Sequence, residues 1–147
     1  AGAARLWEQA GASRSILARE CSLEDRRAIR DAVGDGLELE AFVHGAMCIA
    51  YSGRCLLSSI LDGRDGNQGA CSQPCRRNYT LSERGESGAL YPIEEDGLGT
   101  YILNSKDMNM IRRIPDLLDA GISSLKIEGR MKTVSYAGTN VKDYSMA

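Results

Sequence analysis

Five cysteines and a single histidine carry the strongest capacity for chemistry in this chain, and four of the cysteines fall between positions 48 and 75. In "HGAMCIAYSGRCLLS" (44–58), His44 precedes Cys48 by four residues and Cys55 follows. "GNQGACSQPCRR" (66–77) adds Cys71 and Cys75, so six, fifteen and three residues separate the four in turn. Such a set can supply a nucleophile, a disulfide or a metal site. Four thiolates suffice for an iron–sulfur cluster or a structural zinc. Zinc sites typically space both ligand pairs tightly, and here only Cys71 and Cys75 are close, which leans away from zinc without closing that option. Gly45, Gly53 and Gly69 suit a backbone folded closely around a bulky group. Arg54, Arg76 and Arg77 would offset the negative charge of ligating thiolates. Unligated packing cysteines fit poorly in so polar and glycine-rich a segment. Cys21 stands apart, before a helix, and is expected to be a small core residue.

The elements that must position these residues alternate between helix and strand. Residues 3–10 read as a helix closed by Gly11, and "SRSILARE" as a short strand. Ser22 is placed to cap "LEDRRAIRDAV", with acidic residues in the first turn and Gly34 beyond the end. In "LELEAFVHG", Leu37, Leu39, Ala41 and Val43 alternate with Glu38, Glu40, Phe42 and His44. This order predicts an α/β protein with parallel strands. Residues 47–99 are expected to form a Cys-rich insertion with one short helix, and the β-prone segments "RNYTL", "ALYPI" and "TYILNS", the last just beyond it, a hairpin-like excursion. Ser105 is expected to cap a helix through "KDMNMIRRIPDLLDAG", kinked or broken at Pro115 and stopped by Gly121. "SSLKIEG" is the last strand, followed by a short helix from about Met131.

Two strands present a charged face opposite an aliphatic one. The first carries Glu38, Glu40 and His44; the second carries Lys126 and Glu128 opposite Leu125 and Ile127. In an α/β barrel the aliphatic face lies under the helices and the other points into the barrel, where the carboxyl ends carry the chemistry. An edge strand with solvated charges is the alternative.

Composition limits the classes. A 43% hydrophobic, 26% charged chain of 147 residues suits a globular domain, and a net charge of −2 gives no overall attraction to nucleic acid or anionic membranes. Local basic clusters remain at "CRR", "IRR" and "GRMK". No apolar run reaches the ~20 residues of a membrane span, and no signal-peptide core is visible. A cytoplasmic location is therefore expected, where cysteines favour ligation or catalysis over disulfides. "ARLWEQAGASR" has no strand before it and "SYAGTNVKDYSMA" stops in a helix, so a piece of a larger domain is expected.

"EAFVHGAMCIAYSGRCLLS" resembles the signature of the collagenase-like peptidases, peptidase family U32. Glu40, Phe42, Gly45, Ala46, Met47, Cys48, Gly53, Cys55, Leu57 and Ser58 fill that signature without a mismatch. "GRDGNQGACSQPCR", "NSKDM" and "AGISSLKIEGRMK" extend the likeness over nearly the whole chain, while "SYAGTN" departs from it. The resemblance implies the C-terminal part of a TIM-like (β/α) barrel. A full barrel needs about 250 residues, so a missing barrel half or a second subunit is expected to complete it. It also implies that Cys48, Cys55, Cys71 and Cys75 hold a 4Fe-4S cluster, with zinc as the alternative. Some members of the family are associated with collagen degradation, others with oxygen-independent hydroxylation of transfer RNA, ribosomal RNA or the ubiquinone ring.

The residues support proteolysis weakly and a cluster better, and together with the resemblance this favours hydroxylation. A Cys48–His44 pair would need a helical turn between them and would break the cysteine set, and neither a His-Glu-x-x-His nor a Gly-x-Ser-x-Gly motif is present. The expected activity is hydroxylation of an RNA base or a small aromatic quinone ring. His44, Glu40, Lys126 and Glu128 are the candidate catalytic residues, and Arg64, Asn67 and Arg130 the candidate substrate contacts. Arg76 and Arg77 read better as compensation for cluster charge or as solvated surface. A peptidase acting on peptide substrates is the first alternative, and a binding protein with a purely structural metal site the second.

Overall fold

The alternation of Leu37, Leu39, Ala41 and Val43 makes the central strand of the sheet. In the computed structural model, residues 1–82, 88–93 and 106–147 are described, with backbone alone at positions 92 and 93. The chain divides into two compact units, residues 1–46 with 107–147, and residues 47–106.

The first unit begins with α1 (Gly2–Gln9), β1 (Arg14–Leu17), α2 (Leu23–Val33) and β2 (Glu38–Gly45). β1 and β2 are parallel, in the register Arg14 with Glu38 through Leu17 with Ala41. A parallel pair needs a crossover, and α2 supplies it. Ser22 and Asp25 form a capping box: the Ser22 hydroxyl accepts the Asp25 N–H at 3.0 Å and the Asp25 carboxylate accepts the Ser22 N–H at 2.8 Å.

In sequence order β5 (Met108–Asn109), α4 (Ile114–Asp119), β6 (Ser124–Glu128) and α5 (Val134–Met146) complete this unit. β6 runs parallel to one edge of β2, and β5 pairs antiparallel with His44 and Gly45 on the other edge, beyond the end of β1. The helix expected through 106–121 is thus shorter. Met108 and Asn109 join the sheet, a 3-10 turn follows, and Pro115 lies in the first turn of α4, where its missing N–H costs nothing. The Ser105 cap and the "TYILNS" strand lie outside the described residues.

One face of the sheet is the core. Leu37, Leu39 and Val43 are fully buried, and Leu17, Ala41, Ile29, Val33, Leu117 and Ile122 pack with them. Burying each large aliphatic side chain stabilises the fold by about 1.5–3 kcal/mol. Cys21 is half-buried and packs against this cluster, as a small core residue. Arg30 fastens the amino end of the sheet, donating to the carbonyls of Leu37 at 2.9 Å and Gly121 at 2.7 Å.

The second unit contains α3 (Leu57–Asp62) and the antiparallel pair β3 (Tyr79–Ser82) and β4 (Leu90–Ile93). Short 3-10 turns at Gly66–Gln68 and Pro74–Arg76 lie between them. Among the described residues no helix is long and apolar enough to cross a membrane.

Candidate functional site

Within residues 47–106, the cysteines sit on turns. Cys55 precedes α3, Cys71 follows the Gly66–Gln68 turn, and Cys75 lies inside the Pro74–Arg76 turn. Gln73 takes a left-handed backbone conformation, φ 56°, and its N–H donates to Cys71 Sγ at 3.3 Å. Such a donor stabilises negative charge on sulfur. Gly66 approaches closely, since a Cβ there would stand 3.3 Å from Cys71 Cβ.

Burial pushes the Cys75 thiol up, and the Cys48, Cys71 and Cys55 thiols push it further, with the Arg76 charge opposing them. The other three thiols thus act on Cys75 through their charge, and all four are free. Among the described residues no three His, Cys, Asp or Glu side chains are drawn together tightly enough for a single metal ion. A structural zinc needs its sulfurs about 2.3 Å from one centre. A cubane instead takes each thiolate on a separate iron and spreads them wider. Four free thiols within residues 48–75, with a backbone N–H donated to one of them, are the donor chemistry that such a group takes.

A polar brace holds the cysteine-bearing segments together. Ser58, 2% exposed, accepts the Ser72 N–H at 3.0 Å, and the two hydroxyls are 3.1 Å apart. Ser72 in turn donates to Asp62, which Arg77 clamps with both terminal nitrogens. Hydrogen bonds from Arg77 and Ser72 hold the Asp62 carboxyl below its ordinary range. This ties α3, just after Cys55, to the stretch between Cys71 and Arg77. Arg77 is thus committed to an ion pair. Arg64 and Asn67 are exposed, and the Asn67 amide reaches the Cys55 carbonyl at 3.5 Å.

In the other unit, the polar face of the sheet brings together Glu40, Lys126 and Ser124. Glu40 is 7% exposed; Lys126 Nζ is 3.0 Å from one carboxylate oxygen, while Arg14 at 3.2 Å and the Ser124 hydroxyl at 2.9 Å share the other. Burial opposes its charge, but the Lys126 and Ser124 hydrogen bonds and the Lys126 and Arg14 charges outweigh it and hold the pKa below the ordinary carboxylate value. Phe42 lies between two cations: the Arg19 guanidinium is 3.7 Å from the ring centroid and Lys126 Nζ 5.4 Å. Arg19 also reaches Glu128 at 3.8 Å, and Glu128 accepts the Arg130 N–H at 3.0 Å. Arg130 itself is exposed.

The carboxyl end of β2 carries His44 between two tyrosines of α5. Ring centroids lie 5.7 Å from Tyr136 and 5.6 Å from Tyr144. Gly45 explains the glycine after the histidine. Its φ is 102°, and a Cβ would stand 2.1 Å from the Glu128 carbonyl oxygen, so only glycine allows β2 and β6 to close there. Ser72, Asp62, Tyr136 and Tyr144 are the site residues that sequence reasoning missed. Ser58 was visible within the signature, but its buried role was not.

The family model described as peptidase family U32 matches residues 1–147. The chain belongs to peptidase family U32. A member of this family in Bacillus subtilis, tRNA hydroxylation protein P1, is 44% identical over 144 residues, covering 97% of this chain and 33% of the relative. The U32 relative named 23S rRNA 5-hydroxycytidine C2501 synthase in Escherichia coli is 40% identical over 133 residues, 90% of this chain and 19% of the relative. Another, named collagenase in Porphyromonas gingivalis, is 36% identical over 141 residues, 90% of this chain and 33% of the relative. The chain spans about a third or less of the length of these curated U32 relatives. No solved structure gives a significant match.

Proposed function

We propose that the whole protein hydroxylates an RNA base, with a 4Fe-4S cluster held by Cys48, Cys55, Cys71 and Cys75 and a substrate pocket built on the polar sheet face. The observation that carries this reading is the set of four free thiols within residues 48–75, one of them accepting a backbone N–H, in a chain 44% identical to a tRNA hydroxylation protein. In this reading the sheet is the C-terminal part of a TIM-like barrel completed by further chain or a second subunit, and the protein works in the cytoplasm. The parallel β1–α2–β2 crossover and the polar face at β2 and β6 support it.

Replacing a ring C–H by C–OH with oxygen at the oxidation level of water releases two protons and two electrons. A bound cluster supplies one-electron transfer to an external electron acceptor. The chain's own residues do the rest. Lys126, anchored by Glu40, holds a positive charge against a polar substrate edge. Phe42 offers an aromatic surface flanked by Arg19 and Lys126, and His44 accepts a proton at the carboxyl end of β2. Exposed Arg64 and Arg130, with Asn67, contact the RNA backbone.

Full-length protein purified without oxygen, incubated with RNA and an electron acceptor, should yield a nucleoside bearing one added oxygen by mass spectrometry. Cys75→Ser should abolish it. The relative named collagenase favours a second reading, peptidase activity. Hydrolysis of gelatin that survives serine at all four cysteines, without RNA hydroxylation, would establish that reading instead.

A further inference from the structure

Tyr144 makes several polar contacts at the carboxyl end of the sheet. Its Oη lies 2.8 Å from the Val43 carbonyl, 3.0 Å from the Met110 N–H, and 3.4 Å from His44 Nδ1. The Asn109 side-chain oxygen, at 3.5 Å, already accepts the Ile111 N–H at 3.1 Å. A phenol has one proton and two lone pairs. The Val43 carbonyl, which also accepts the Met110 N–H at 3.0 Å, is the nearest acceptor and takes the phenol proton on its second lone pair. The Met110 N–H, shared between that carbonyl and the phenol, takes one phenol lone pair. The remaining lone pair faces His44 Nδ1, and that contact is a hydrogen bond only if Nδ1 carries a proton.

We infer that Tyr144 is a positioning residue that holds neutral His44 as the Nδ1–H tautomer and leaves Nε2 with the free lone pair. This rests on the proposed function only in giving Nε2 its use, the uptake of a proton during base hydroxylation. Without the phenol, an imidazole favours the opposite tautomer, whose basic nitrogen is Nδ1. The second tyrosine narrows the ring's freedom further. Tyr136 also contacts it, with ring centroids 5.7 Å apart, and is itself anchored, donating its hydroxyl to Asp107 at 3.1 Å. Lys132 pairs with the same carboxylate at 2.7 Å and stands 5.1 Å from the Tyr136 ring centroid. Burial raises the Tyr144 pKa, against a smaller opposing effect of its hydrogen bond with Met110, so the phenol keeps the proton this scheme requires.

Val43 and His44 are neighbours on β2, so the carbonyl that takes the phenol proton and the ring that donates to the phenol belong to one rigid strand. Tyr144 reads both from α5, a hundred residues later in the chain.

Nitrogen-15 NMR of histidine-labelled protein tests this directly, with the His44 signals identified by their loss in His44→Gln. At a pH where the ring is neutral, wild-type protein should show a protonated Nδ1 and a pyridine-type Nε2. A protonated Nε2 would overturn the inference, and that result needs no variant that folds. Tyr144→Phe should shift the tautomer ratio roughly tenfold toward Nε2–H, the scale one hydrogen bond supports. An unchanged ratio would also overturn it. In the same variant, RNA hydroxylation should fall in kcat with KM for RNA retained. An Nδ1–H ring in a protein that does not hydroxylate RNA would support the tautomer assignment and overturn the activity.

Discussion

Lys126 Nζ stands 3.0 Å from Glu40 Oε1, an ion pair that joins the central strand to its parallel neighbour on the polar face of the sheet. The carboxylate is buried while Lys126 is 37% exposed. Solvent therefore screens one partner and the pair lies between the surface and buried cases.

Glu40→Gln should lower unfolding stability at neutral pH by about 1–2 kcal/mol, a range set between those two cases. The folded pKa of Glu40 lies below its ordinary 4.5. Its ionised form therefore stabilises the fold above that value, and the contribution is lost as pH falls through the folded pKa. Denaturation at stepped pH checks this: the variant's stability should fall less between neutral and acid than wild type's. Equal acid slopes would contradict it.

Gly45→Ala should be among the most damaging single substitutions. The added Cβ meets the Glu128 carbonyl at 2.1 Å on backbone that cannot yield cheaply. A loss of at least about 2 kcal/mol is expected from the positive φ and the clash together. Thermal and chemical unfolding measure it, and an unchanged midpoint would refute the close approach.

Ser58→Ala leaves the buried Ser72 N–H without its acceptor and releases Ser72 from α3. The sulfur-bearing turns should loosen. Retention of iron and sulfide during chelator challenge is expected to fall about 10–100-fold, the scale for supporting residues around a metal group. Asp62→Asn, which weakens the Arg77 clamp, should act in the same direction. Wild-type retention in both would dissociate the brace from the cysteines.

Arg64→Ala and Arg130→Ala test the RNA contacts. Each lost phosphate contact should flatten the dependence of log affinity on log salt by about 0.7–0.9. Fluorescence anisotropy with full-length protein and RNA reads the slope. An unaltered slope would assign both arginines to solvated surface.

The sequence made β1, α2 and β2 legible because their signals are local. Leu37 to Val43 alternate strictly, and Ser22 with Asp25 spells out a cap within four residues. Local pattern misled at 106–121. The short pairing of Met108 and Asn109 with Gly45 and His44 is set by a partner over sixty residues away, and Pro115 starts a helix instead of kinking one. The four cysteines stand out in the sequence by residue type, but the brace between their segments does not. Ser72 and Asp62 are ordinary polar residues until folding places them beside Ser58 and Arg77. Tyr144 was invisible for the same reason, its partners Val43 and His44 lying a hundred residues upstream.

Iron and acid-labile sulfide analysis of the full-length protein, purified without oxygen, tests the central claim most directly. The account predicts about four irons and as many sulfides per chain, falling sharply in Cys75→Ser. Colourless protein with a single zinc, or cysteines bridged in oxidised pairs, would contradict it.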